Sequence, residues 1–390
     1  MNLGFYIILS AQFISALADN ALLFAAIALL AQLHAPDWHT PLLQEFFVIS
    51  YIILAPFVGS FADALPKGRV MFLSNGIKFI GCLAMLVGIP PLYAYGIVGI
   101  GAAAYSPAKY GILTEYLPVN QLVRANGWME GSTVLAIILG AIAGGKLASI
   151  NPQFSLIVIT GLYLLAASIN LYIPKVAIDH RMPKKNPLYA LHDFWHSFTA
   201  LWRDPQGQVS LAVTTLFWGA GATLRLVIIA WAASVLLFGL DRATQLTAMV
   251  AFGIAIGSIF AARYVKLEES IKVLPAGILM GILVMAMILV HDWRMAALIL
   301  FLIGVLSGYF VVPLNALLQH RGHILIGAGH SIAVQNFNEN IGILLLIGAY
   351  TMMVKHNLSI NLIVLIFGTF VSLVMGVIYQ TYRKQISITE

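Results

Sequence analysis

Apolar residues run through this chain in long blocks, interrupted by Pro, Gly and small clusters of charge. A helix rises about 1.5 Å per residue, so roughly 20 apolar residues cross a hydrocarbon layer about 30 Å thick. Cutting at the interruptions predicts about twelve such spans, near 3–33, 40–63, 69–89, 91–115, 122–149, 153–174, 207–238, 242–265, 271–290, 294–320, 328–355 and 358–382. The longest break, Pro174 to Pro205, is the one stretch with a soluble composition, and it divides six spans from six. The expected architecture is an all-α polytopic membrane protein with about twelve transmembrane helices in two six-helix halves. Residues 1–174 form the N-terminal half, 175–206 a cytoplasmic linker and 207–390 the C-terminal half. The later part of the linker, Leu191-His192-Asp193-Phe194-Trp195-His196, fits a short amphipathic helix in the cytoplasmic interface or a solvated connector.

Composition agrees with the pattern. The 390 residues are 61% hydrophobic and 9% charged, with mean hydropathy +0.92, whereas a soluble globule would carry about 25% charged residues. The formal charge of +6 does not mark a nucleic-acid partner, because the basic residues are spread over short loops rather than gathered in a patch. Of 21 Lys and Arg, 14 fall on one side of the spans and four (Lys146, Arg242, Arg294, Lys355) on the other, which places both termini in the cytoplasm. Lys78, Lys109 and Arg225 remain inside spans. The first segment lacks a basic n-region and reads as an uncleaved transmembrane helix. Cys82 is the only cysteine, so an internal disulfide is excluded and the residue reads as a small core side chain.

A carboxylate in the first span needs a physical explanation. Asp19 falls near the centre of the layer, where insertion costs about 3 kcal/mol, so other helices must supply a polar interior and partner charges. Candidates for that interior are Asp19 and Asn20 in the first span and Lys109, two residues after Pro107, in the fourth. The seventh span adds Arg225 after Trp218-Gly219-Ala220-Gly221, and the eleventh adds Gln335-Asn336-Phe337-Asn338-Glu339-Asn340. These residues either line a cavity or lock helices together as ion pairs. Lys78 and Glu130, a turn or two inside the membrane, read either as snorkelling interface residues or as weaker members of that interior.

A 206-residue shift brings Pro107 onto Pro313, Lys109 onto Asn315 and Asp19 onto Arg225, the trace of an internal repeat. Gly140 and Gly144, Gly253 and Gly257, and Gly304 and Gly308 have the small-residue spacing of close helix packing. The run Gly140 to Leu147 nearly spells a phosphate loop but has Leu where Ser or Thr should stand and follows no strand. Neither a His-Glu-x-x-His zinc site nor a Gly-x-Ser-x-Gly elbow is present, so an enzyme is not expected, nor is a metal or cofactor.

Gly59-Ser60-Phe61-Ala62-Asp63-Ala64-Leu65-Pro66-Lys67-Gly68-Arg69 resembles the loop signature of the major facilitator superfamily, which implies a gating role for Asp63 and Arg69. The family's second glycine stands three residues after the aspartate, whereas Gly68 stands five after Asp63. More specific are Ala16 to Leu23, Gly101 to Leu113, Val311 to Gln319 and Ala333 to Asn336, which together resemble the bacterial lysophospholipid transporters, a branch of that superfamily. The resemblance implies inward movement of lysophospholipids, chiefly lysophosphatidylethanolamine, across the bacterial inner membrane to a cytoplasmic acyltransferase. It also implies alternating access, a substrate site between the halves near midplane, and a polar path lined by Asp19, Asn20, Lys109, Arg225, Asn336 and Glu339. The competing expectation is a facilitator of the same fold for another small solute or drug, such as a proton-coupled porter.

Overall fold

In the computed structural model the described residues are 2–35, 39–176 and 187–389, and they form thirteen α-helices. In chain order these are α1 (Leu3–Gln32), α2 (His39–Ala64), α3 (Lys67–Leu86), α4 (Pro91–Tyr116), α5 (Leu122–Ile150), α6 (Pro152–Asn170) and α7 (Pro187–Arg203), followed by α8 (Pro205–Val235), α9 (Leu240–Tyr264), α10 (Leu274–Ala286), α11 (Trp293–Ile326), α12 (Ala328–Lys355) and α13 (Ile360–Thr389). Local chemistry explains several starts. Asn151 accepts from the Phe154 N–H with Pro152 opening α6, and Asp204 accepts from the Gly207 N–H with Pro205 opening α8. The ninth expected span, 271–290, extends to Leu267–Leu289 because 3-10 turns flank α10 on both sides.

Among the described residues, eleven helices are long and apolar enough to cross a membrane. The molecule is a multi-pass membrane protein. α4 is as long as its neighbours but falls outside that set, because glycine, tyrosine and Pro107 dilute its apolar content. Enclosure accounts for this: most of α4 from Ala94 to Leu113 is buried, so protein rather than lipid surrounds it. Pro107 in α4 and Pro313 in α11 both sit within continuous helices.

Part of the expected linker, residues 177–186, lies outside the described residues. Its second part is α7, whose inner face repeats at helical spacing through the buried Ala190, Phe194, Ser197 and Leu201. Phe194 meets Phe337 edge to face at 5.5 Å, while Leu188, Leu191 and Trp195 are exposed.

The chain divides into two compact units, the first comprising residues 1–118, 135–200 and 322–337 and the second 119–134, 201–321 and 338–390. Within the first, α1 packs on α6, and α3 packs on α4 and α6, around Leu22, Ala25, Cys82, Val98, Ile159 and Tyr163. Glycines set the closest approach: a Cβ at Gly140 would lie 2.8 Å from the Leu17 carbonyl oxygen of α1, and one at Gly144 would lie 2.5 Å from Ala21 Cα. In the second unit α10 and α13 meet through Gly281 and Gly368, where a Cβ on either would come 2.7 Å from the other's carbonyl oxygen. α9 and α11 meet through Gly253 and Gly304, where a Cβ on either would come within 2.9 Å of the other's Cα.

Candidate functional site

Asp19 is the centre of a buried polar cluster in the first unit. Lys78 Nζ donates to Asp19 Oδ2 at 2.7 Å and to Ser15 Oγ at 3.1 Å, and Tyr163 OH donates to Asp19 Oδ1 at 2.8 Å. Ser15 Oγ in turn donates to Asn75 Oδ1 at 2.7 Å. The Lys78 ammonium also lies 4.7 Å from the centre of the Tyr105 ring. Thus α1, α3, α4 and α6 all contribute to solvating one carboxylate, as a charge at this depth requires.

Of the two readings open for Lys78, snorkelling is excluded and the interior one holds. Its side chain is 1% exposed, and that of Asp19 is 21% exposed. Glu130 is likewise buried rather than interfacial, 4% exposed, and accepts from Asn315 Nδ2 at 3.4 Å within the second unit. Asn315 is the repeat counterpart of Lys109.

A polar cavity of about 60 Å³ adjoins the cluster, lined in part by Gln12, Asp19, Lys78, Tyr105, Ser106 and Lys109. Asn336 Nδ2 donates to Ser106 Oγ at 2.9 Å, which ties that asparagine to the cavity wall. Asp19, Lys109 and Asn336 are therefore brought together in one unit. Asn20 stands on the same helix as Asp19, and its side chain donates to the Ala16 carbonyl at 2.8 Å. Arg225, exposed on α8, and Glu339, buried on α12, belong to the second unit. That unit also holds an apolar groove of about 120 Å³, lined by residues including Val227, Leu346, Tyr350, Phe367 and Phe370, which suits hydrocarbon.

The loop signature forms a separate cluster in the first unit. Asp63 accepts from the Gly329 N–H at 2.7 Å and the His330 N–H at 3.0 Å, placing a carboxylate at the start of α12 where backbone donors are unsatisfied. Lys67, four residues on, pairs with Asp63 at 2.6 Å and with Glu115 at 3.0 Å. Arg69 is exposed. The His330 ring joins a third helix: Nδ1 lies 2.6 Å from Asp63 Oδ2, and Nε2 lies 2.9 Å from Asp193 Oδ2 of α7 and 3.0 Å from Ser60 Oγ. A Cβ at Gly329 would stand 2.6 Å from Asp63 Oδ1 and 2.7 Å from the Gly59 carbonyl oxygen, so only glycine admits this approach. Among the described residues no group of three or more His, Cys, Asp or Glu has the geometry to hold a metal ion.

Long-range partners were the part hidden from sequence reasoning. His330 and Asp193 carried no local signal, whereas Lys67 stood at helical spacing from Asp63 and Lys78 shared a membrane interior with an aspartate.

A bundle of apolar helices with a charged cluster inside it and a polar cavity beside that cluster has the construction of a membrane carrier. The model of the Major Facilitator Superfamily matches residues 8–346, and the chain belongs to that superfamily. More narrowly, it is similar to the lysophospholipid transporter LplT of Yersinia enterocolitica, with 49% identity over 357 residues, 91% of this chain and 88% of the relative. The lysophospholipid transporter LplT of Yersinia pestis is 49% identical over 350 residues, 89% of this chain and 86% of the relative. Among solved structures, the major facilitator transporter FucP in its outward conformation is 14% identical with a TM-score of 0.76, over 98% of each chain. A bacterial homologue of the iron transporter ferroportin is 14% identical with a TM-score of 0.77, over 98% of this chain and 100% of that one. At such identities these two speak for the fold alone.

Proposed function

We propose that this protein is a lysophospholipid flippase of the bacterial inner membrane, moving single-chain phospholipids, chiefly lysophosphatidylethanolamine, inward by alternating access. The observation that carries this is 49% identity over 91% of the chain to a protein named as a lysophospholipid transporter. Carriers of other solutes resemble the chain at only 14–15% identity, so they lend little weight to a sugar or drug porter. A polar cavity lined by Asp19, Lys78 and Lys109 suits the charged head group of a phospholipid.

In this proposal Asp19, Asn20, Lys109 and Asn336 serve the head group from the first unit, and Arg225 and Glu339 are the charged residues of the path in the second. Arg225 would grip phosphate oxygens with its planar fork, while Lys109 acts as a point charge. Asp63, with Arg69, would act at the gate. The carrier itself makes and breaks no bond; a cytoplasmic acyltransferase would receive the lipid and restore its second chain. Both termini in the cytoplasm follow from the 14-to-four division of loop cations.

The test is reconstitution in vesicles with three labelled substrates: lysophosphatidylethanolamine, diacyl phosphatidylethanolamine and chainless glycerophosphoethanolamine. The one-chain lipid should move fastest. Equal movement of the chainless head group would instead make the protein a hydrophilic-solute porter, and equal movement of the diacyl lipid would remove the preference for one chain.

A further inference from the structure

Asp19 is the obvious receptor for the ammonium of a zwitterionic head group, but its geometry argues otherwise. Each of its oxygens already holds a donor: Lys78 on Oδ2 and the Tyr163 hydroxyl on Oδ1. Lys78 is also immobilised. Its stem lies along Gly101, where a Cβ would come within 2.7 Å of Lys78 Cγ, and its ammonium is fixed by Ser15 and the Tyr105 ring. Lys78 already neutralises the Asp19 charge, so a substrate ammonium gains little from the carboxylate unless it displaces a lysine packed along its length, which would leave that lysine's charge buried without its counter-ion.

The adjoining cavity has the opposite preference. Lys78 and Lys109 both line it, against the single carboxylate of Asp19, and Ser106 and Gln12 add neutral hydrogen-bonding groups. With Asp19 neutralised by Lys78, the second lysine leaves the cavity wall net positive, which suits the oxygens of a phosphodiester. The cavity's volume of about 60 Å³ is more than a single water needs.

We propose that Lys78 is a positioning residue that holds Asp19 as its fixed counter-ion, takes the carboxylate out of use as an ammonium receptor, and makes this cavity a phosphate subsite. The inference rests on the lysophospholipid reading above. Head-group selectivity then depends on Lys78 rather than on Asp19 alone. Removing Lys78 would expose a bare carboxylate that attracts an ammonium and repels an anionic lipid lacking one.

Uptake of lysophosphatidylethanolamine and lysophosphatidylglycerol, which has no ammonium, is measured at pH 8 in vesicles carrying wild type, Lys78→Met or Asp19→Asn/Lys78→Met. Lys78→Met should raise the KM for the glycerol lipid relative to the ethanolamine lipid by about tenfold, since one unpaired buried charge now faces the substrate. The neutral double variant should recover uptake relative to Lys78→Met and return the ratio to the wild-type value. An equal loss for both lipids in Lys78→Met, or no change, would overturn the proposal, because a purely structural lysine leaves the ratio alone. Should Lys78→Met fail to insert, the double variant decides. A wild-type ratio supports the proposal, whereas selective loss of the ethanolamine lipid, or failure to insert, overturns it. A wild type that carries neither lipid removes the lysophospholipid reading and this proposal with it; a changed reading of Lys78 alone leaves wild-type uptake intact.

Discussion

Lys78 answers the charge of Asp19 from deep within its own helix. It falls about nine residues into the expected span 69–89, which at helical rise is about 13 Å and already near the middle of the layer. Counting turns, rather than noting a lysine near a loop, would have identified it as the partner that Asp19 requires. The pair changes what a substitution at Asp19 does. Asp19→Ala would leave Lys78 buried without its counter-ion, and breaking a buried pair from one side costs about 3–5 kcal/mol. Uptake should vanish and the unfolding temperature of the detergent-solubilised protein should fall. Asp19→Ala/Lys78→Met should regain most of that thermal stability; a double variant as unstable as the single one would show that the pair's charges do not matter to the fold.

At the scale of helices, the sequence carried more than it did for side-chain partners. Expected spans 122–149 and 328–355 fall within a residue of α5 and α12, because apolar length and its breaks are local properties. Which faces meet is not local. The contact of Asp63 with the start of α12 joins residues 266 and 267 positions apart, and helical periodicity alone does not choose it. Only the loop signature, which implies a gating role for Asp63, singled that residue out. This contact rests on a missing side chain, which gives a sharp expectation. Gly329→Ala should force Asp63 off the backbone donors, lowering both thermal stability and uptake, while an alanine at Gly348, whose Cβ would meet nothing within 4 Å, should change stability little. If the two alanine variants unfold alike, the close approach at Gly329 is not what holds α12 in place.

Viewed as a whole, the chain is organised by one requirement: every charge placed in a hydrocarbon layer must be answered from another helix. Composition made the class readable, and the lengths of the apolar blocks made the spans readable. The polar interior was readable only as a list of candidates, since its assembly depends on tertiary packing. One packing detail has a practical outcome for topology. Cys82, the only cysteine, is fully buried, its sulfur facing the Thr160 hydroxyl at 3.1 Å. An impermeant maleimide should therefore ignore the wild-type protein from either side of the membrane, so any cysteine introduced at an exposed site reports its own compartment against a silent background. On the proposed orientation, with both termini in the cytoplasm, His192→Cys on α7 should react only in inside-out vesicles and His291→Cys, between α10 and α11, only in intact right-side-out ones. The reverse pattern would invert the orientation drawn from the loop charges, and labelling of the unaltered protein would mean that the interface around Cys82 opens to water.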